Sequence, residues 1–184
     1  LLEGGRHPRG VFLLVDDVRL NFSVSEFLGR AEAYRLDSAS AAIRGTWPIM
    51  APHPLGADEE GRLVRVIETM AQFWTVEAWR CYARMFDPEL SDGGYGLELW
   101  MHDMCQRELG RLPRMGILDK FVADSLTLSK TSRAWKTGLF STQNRVQQMY
   151  RQEMVWGRRG VALTVAHQID VDRHFGMLEL RARL

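Results

Sequence analysis

Two aspartates in succession, Asp16-Asp17, follow directly on the apolar run Val11-Phe12-Leu13-Leu14-Val15. Adjacent carboxylates at a strand end offer hard oxygen ligands for Mg²⁺ or Mn²⁺, and such a cation can neutralise a diphosphate. In open α/β sheets, ligands bind at the carboxyl ends of the strands, where this pair would stand. The same pair also suits a plain turn, because Asp bonds readily to backbone amides just ahead of it. Glu98 comes after the glycine-rich stretch Gly93-Gly94-Tyr95-Gly96 and falls in the first turn of a predicted helix. There the helix dipole favours an anion. A Glu so placed is either an ordinary first-turn residue or a general base for a hydroxyl nucleophile.

Further acids repeat the pattern. Asp119 follows Ile117-Leu118, with Asp124 five residues on, and Glu68 interrupts an otherwise apolar run. Glu68 is therefore either a solvent-facing strand residue or a buried functional acid. The segment His167 to His174 carries metal-ligand types, but its spacing fits no common zinc pattern. The chain has no Walker loop and no GxGxxG, GxSxG or HExxH motif. Cys81 and Cys105 alone make neither a disulfide framework nor a zinc cluster, and neither has the local context of a catalytic thiol. Of the six tryptophans, which include Trp47, Trp74, Trp79 and Trp100, most belong to a core, with one or two able to stack on a sugar or base.

These side chains need elements to position them. The run Val11–Val15 suits a central strand buried on both faces. Ser23-Val24-Ser25-Glu26 has capping-box spacing and predicts a helix from Val24 to about Tyr34. Residues 37–54 mix small residues with Gly and Pro and read as irregular or edge structure, while 54–61 is an exposed loop. The stretch 63–74 is ambiguous between strand and helix. Thr75 is a good N-cap for a helix from Val76 to about Phe86, ended by Asp87-Pro88. A second helix is expected over 97–109, with Gly110 just beyond it. Met115–Asp119 reads as another buried strand, and a helix over 142–156 and a strand over 161–166 follow.

An apolar share of 46% and a charged share of 26% belong to a folded domain rather than a disordered chain. At 184 residues there is room for one ordinary domain. No apolar run approaches the roughly 18 residues needed to span a bilayer. No basic start leads into a hydrophobic stretch of the kind that opens a signal peptide. The compartment stays open, the secretory pathway included if the chain is part of a longer protein. The net charge of +1 hides an asymmetry: residues 1–129 carry 14 basic against 19 acidic residues, and 130–184 carry 10 against 4. This divides the chain into an acidic α/β body, 1–129, and a basic extension, 130–184. A basic tail of this kind can bind nucleic acid, an acidic partner or a membrane surface, or it docks on the acidic body.

Taken in order, four motifs resemble one family. Val11 to Phe22 resembles the strand and acidic motif of the domain-of-unknown-function family 707, which is regarded as glycosyltransferase-like with a GT-A nucleotide-diphospho-sugar fold. Ile67 to Cys81 (IETMAQFWTVEAWRC) is similar to that family's Glu-containing strand and Ala-Trp-Arg-Cys helix. Gly94-Tyr95-Gly96-Leu97-Glu98 and Met115-Gly116-Ile117-Leu118-Asp119 are similar to its later motifs. The resemblance covers about residues 11–128.

It implies a GT-A-like mixed sheet flanked by helices, without the N-terminal strands, and a metal-dependent transfer of sugar from a nucleotide-diphosphate donor to a hydroxyl acceptor. Asp16 and Asp17 would hold Mn²⁺ or Mg²⁺, with Asp124 at the family's late His position. Glu98 would be the catalytic base or an acceptor contact. Glu68, Trp74, Tyr95 and Asp119 would line the substrate cleft. No nucleic-acid partner is expected. Val15 stands where the family has a third acid, and the nucleotide-binding strands that should precede the motif amount here to about ten residues. The rival expectation is therefore a non-catalytic, glycosyltransferase-like binding or scaffold domain with a basic tail.

Overall fold

A computed structural model describes residues 8–46, 50–85 and 97–126, with the backbone alone at 97–99. The glycine-rich turn at 91–96, the helix expected over 142–156 and the strand expected over 161–166 lie outside the described residues. In chain order the elements are β1 (Gly10–Leu14), β2 (Val18–Leu20), α1 (Val24–Ala33), β3 (Ser38–Arg44), β4 (Arg62–Leu63), β5 (Ala71–Thr75), α2 (Val76–Arg84), α3 (Leu97–Leu109) and β6 (Met115–Ser125). The strands form one mixed sheet in the order β1-β5-β3-β6-β2, with β4 also paired to β6. β3 and β6 are parallel; the other pairs are antiparallel. The chain is thus α/β, as its sequence implies.

β1 and β2 stand at opposite ends of the strand order, yet only Val15, Asp16 and Asp17 join them. Four strand spacings in a flat sheet would separate them by about 19 Å. The connection from Leu14 to Val18 reaches no more than about 14 Å. The sheet must therefore curl on itself, which its twist permits. This brings the end of β2–β6 over the end of β1.

Two apolar layers cover the sheet. On one face, Phe27 and Ala31 of α1 pack with Ala39, Ala41, Phe73, Leu118 and Phe121. The Phe27 ring lies 5.8 Å from Phe12, 5.5 Å from Phe22 and 5.5 Å from Phe121. Burying one such side chain contributes about 2–3 kcal/mol. On the other face, Trp74, Ala78, Cys81, Tyr82, Trp100, Met101 and Cys105 form the larger core under α2 and α3.

The helix ends follow their sequence signals. Ser23 accepts from the Glu26 amide at the start of α1, and Thr75 from the Ala78 amide at the start of α2. Beyond α1, the Leu36 amide donates to Ala31 O and the Arg35 amide to Glu32 O, which places Arg35 in the left-handed region at φ 51°. Gly110, at φ 66°, takes the corresponding position after α3. A disulfide between Cys81 and Cys105 ties α2 to α3.

Three expectations are corrected. The apolar run at 11–15 forms β1, which among the described residues is an edge strand paired with β5 alone. Its pattern reflects two covered faces, with Phe12 toward α1 and Leu13 toward the larger core, rather than a neighbour on each side. Residues 37–54 are not wholly irregular, since 38–44 form the central strand β3 and are buried except at Arg44. Small side chains hid it, because they carry little strand propensity yet fit between two close-packed layers. Their polar groups are paired: Ser40 donates to Ala71 O at 3.0 Å, and Gln72 donates to Ser38 Oγ at 3.2 Å. The ambiguous stretch 63–74 is neither one strand nor a helix; β4 ends at Leu63 and β5 begins at Ala71.

Candidate functional site at the carboxyl end of the sheet

β1, β3 and β6 run in the same direction, so their carboxyl ends share one edge, and antiparallel β5 enters the sheet there. The chain is stitched together at this edge. The Val15 amide donates to Met70 O at 2.9 Å, and the Leu126 amide donates to Asp17 O at 2.7 Å. Residues 15–17, 44–46, 68–70 and 124–126 are thereby brought together.

Asp16 and Asp17 occupy a two-residue turn from β1 into β2, closed by the Val18 amide donating to Val15 O at 3.3 Å. The turn-forming reading of this pair holds, and the turn stands at the carboxyl end of the sheet, the end at which open α/β sheets in general bind ligands. Asp16 is exposed and Asp17 half-buried. Glu68, half-buried just before β5, accepts from Thr46 Oγ1 at 3.3 Å. Its carboxyl is pushed up chiefly by burial and further by the negative charge of Asp17, while the Thr46 bond opposes the shift. Asp17 and Glu68 therefore share one local field, which a cation would relieve.

Asp124 reaches the same edge in a different state. Arg19 on β2 and Arg44 on β3 are its register partners on either side. Their guanidiniums donate to its two oxygens at 3.1 and 3.3 Å, and Asn21 adds a third bond at 2.7 Å. These donors, Asn21 first, hold the Asp124 carboxyl below its ordinary value. A cation at Asp124 would have to displace two guanidiniums and an amide. Of the expected metal ligands this leaves Asp16 and Asp17, with Glu68 in electrostatic reach of Asp17. Among the described residues no group of three or more His, Cys, Asp and Glu is preassembled for a metal.

The other expected site residues are dispersed. β6 slips against β3 between Leu118 and Val122, and the bulge turns Asp119 toward β4. There Asp119 accepts from buried Arg62 at 3.0 Å and from the His53 amide at 2.9 Å. Gly61 permits the close approach of this loop, since a Cβ on it would lie 2.3 Å from Ile117 O. Trp74 is 1% exposed and stacks on Tyr82 at 4.6 Å, so its ring offers no open face to a sugar. Residue 98 lies in the first turn of α3, as expected, but the Glu98 side chain and Tyr95 lie outside the described residues. Thr46, Arg19 and Arg44 join this edge without having stood out in the sequence. Their types are common at strand ends, and only the strand register brings them to the acids.

No described helix is long and apolar enough to cross a membrane. Compared with protein-family models, curated proteins and solved structures, the chain matches none.

Proposed function

We propose that this chain is a GT-A-like glycosyltransferase domain that binds a nucleotide-diphosphate sugar at the carboxyl edge of its sheet. The observation that supports this reading is that Asp17, in the turn where β1 ends, lies within electrostatic reach of half-buried Glu68 just before β5, with burial and Asp17 both raising the proton affinity of Glu68. A site that concentrates negative charge in partial burial favours a divalent cation. Bound there, Mn²⁺ or Mg²⁺ would supply charge neutralisation for the departing diphosphate.

The protein's own groups have separable roles. Asp16 and Asp17 present carboxylate oxygens from a turn that backbone bonds hold on both sides. Thr46 orients Glu68 and fixes one of its oxygens. Glu98, in the first turn of α3, is the residue proposed to take the acceptor hydroxyl proton. Its role rests on the resemblance of its motif.

Calorimetry of the chain with Mn²⁺ and a panel of nucleoside diphosphates tests the reading. Cation-dependent binding that falls at least about tenfold in Asp17→Asn, together with sugar transfer lost in the same variant, is the expected outcome. Nucleotide binding that is absent, or indifferent to Mn²⁺ and to Asp17→Asn, would refute it.

A further inference from the structure

We infer that Arg19 and Arg44 form an oxyanion subsite that grips phosphate oxygens beside the acidic turn, a role for which Asp124 is the positioning residue. In identifying the phosphate as that of a nucleotide donor, the inference rests on the function proposed above; the binding of phosphate itself does not.

The geometry carries it. Arg19, Asp124 and Arg44 are register neighbours on the adjacent strands β2, β6 and β3, so their side chains leave the same face of the sheet. The two arginine backbones flank β6 at about 10 Å from each other, two strand spacings. Their guanidiniums converge on the two oxygens of one carboxylate. Each bond to Asp124 uses one terminal nitrogen of its guanidinium, and a guanidinium carries five N–H donors in a planar fork. The arginine side chains are 65% and 64% exposed, whereas Asp124 is 21% exposed beneath them. Two cations against one anion leave the triad with an excess positive charge facing solvent.

A surface ion pair made only for stability contributes little and needs one arginine. Here two guanidiniums are ordered in advance with donors still facing outward, which lowers the entropic cost of seizing an anion. The location adds a second, independent reason. Ser125 pairs with Val18, and the Leu126 amide bonds to Asp17 O, so the triad adjoins the turn that carries Asp16 and Asp17. The acidic turn and the basic pair are neighbouring features of opposite sign on the ligand-binding edge. A diphosphate bridged to a cation presents charges to match both.

The test is titration of the chain with inorganic pyrophosphate in the presence of a chelator, read by calorimetry and by backbone chemical shifts. Binding is expected to weaken roughly tenfold in Arg19→Ala and in Arg44→Ala. Arg19→Lys and Arg44→Lys are expected to retain part of it, because Lys keeps the charge and loses the fork. Arg9→Ala, an exposed arginine paired with Glu32 beside α1, is the control and should bind pyrophosphate unchanged. Thermal melts verify that each variant is folded. Pyrophosphate binding that survives both alanine substitutions, or that falls equally in Arg9→Ala, overturns the subsite. Because the titration contains no divalent cation, its failure leaves the cation-dependent nucleotide binding of the proposed function to be judged separately.

Discussion

Arg62 and Asp119 meet at 3.0 Å with side chains only 4% and 1% exposed, so the link between β4 and the bulge of β6 is a buried ion pair. Arg62 also donates to Ala51 O, and Asp119 also accepts from the His53 amide. One carboxylate thus fastens the loop before β4 to the sheet. Removing either partner strands the other charge in the interior, where little water can reach it. Asp119→Ala is expected to destabilise the fold by about 3–5 kcal/mol, measured as a lower urea midpoint at unchanged slope. A loss below about 1 kcal/mol would mean that the pair is solvated.

Glu68 makes stability depend on pH in a defined direction. Its carboxyl holds a proton more tightly in the folded chain than in the unfolded one. Through the window from the ordinary carboxylate value up to the raised one, unfolding releases that proton, and stability falls as pH rises. Below the window the stabilising contribution is fully present; above it that contribution is lost. Glu68→Gln should remove this component and leave the variant at least as stable as the parent at neutral pH. Melting temperatures of both proteins from pH 4 to pH 8 check this, and parallel curves would contradict it.

The Cys81–Cys105 bond joins α2 to α3 across 24 residues of sequence and lies in the larger core. Closing a loop of that length constrains the unfolded chain and stabilises by about 3 kcal/mol. Reduction, or replacement of both cysteines by Ser, should lower stability by roughly that amount. Thiol titration of the unreduced, denatured protein should find no free thiol. Two titratable thiols would show that the bond does not form.

Arg35 supplies the left-handed residue that ends α1, a position that glycine fills without steric cost. The helix-ending bonds to Ala31 O and Glu32 O are already in place, so relief of strain exceeds the added freedom of the unfolded chain. Arg35→Gly is expected to raise stability by about 0.5–1 kcal/mol in urea unfolding. A decrease would show that the arginine side chain contributes more than its backbone costs.

Local chemistry decided much of this protein. Ser23 and Thr75 start their helices because a hydroxyl can satisfy a first-turn amide, and Gly110 stops one because it tolerates positive φ. The apolar runs at 11–15 and 115–118 form strands because short apolar runs fit a pleated surface covered on both faces, the first helped by its β-branched and aromatic side chains. These signals act over a few residues and are legible in the sequence. The central strand β3 is not, since Ser38-Ala39-Ser40-Ala41-Ala42 becomes a strand only when two apolar layers close over it. The site divides in the same way. Carboxylates following strands announced an acidic edge, and the turn at Asp16-Asp17 lies where that pattern puts it. Pairing across the sheet then assigned Asp124 to two arginines, Asp119 to Arg62 and Trp74 to the core. Those assignments depend on register between segments up to 105 residues apart, such as Arg19 and Asp124. Only the curling of the sheet, which lets β2 lie beside the end of β6, brings such segments into contact.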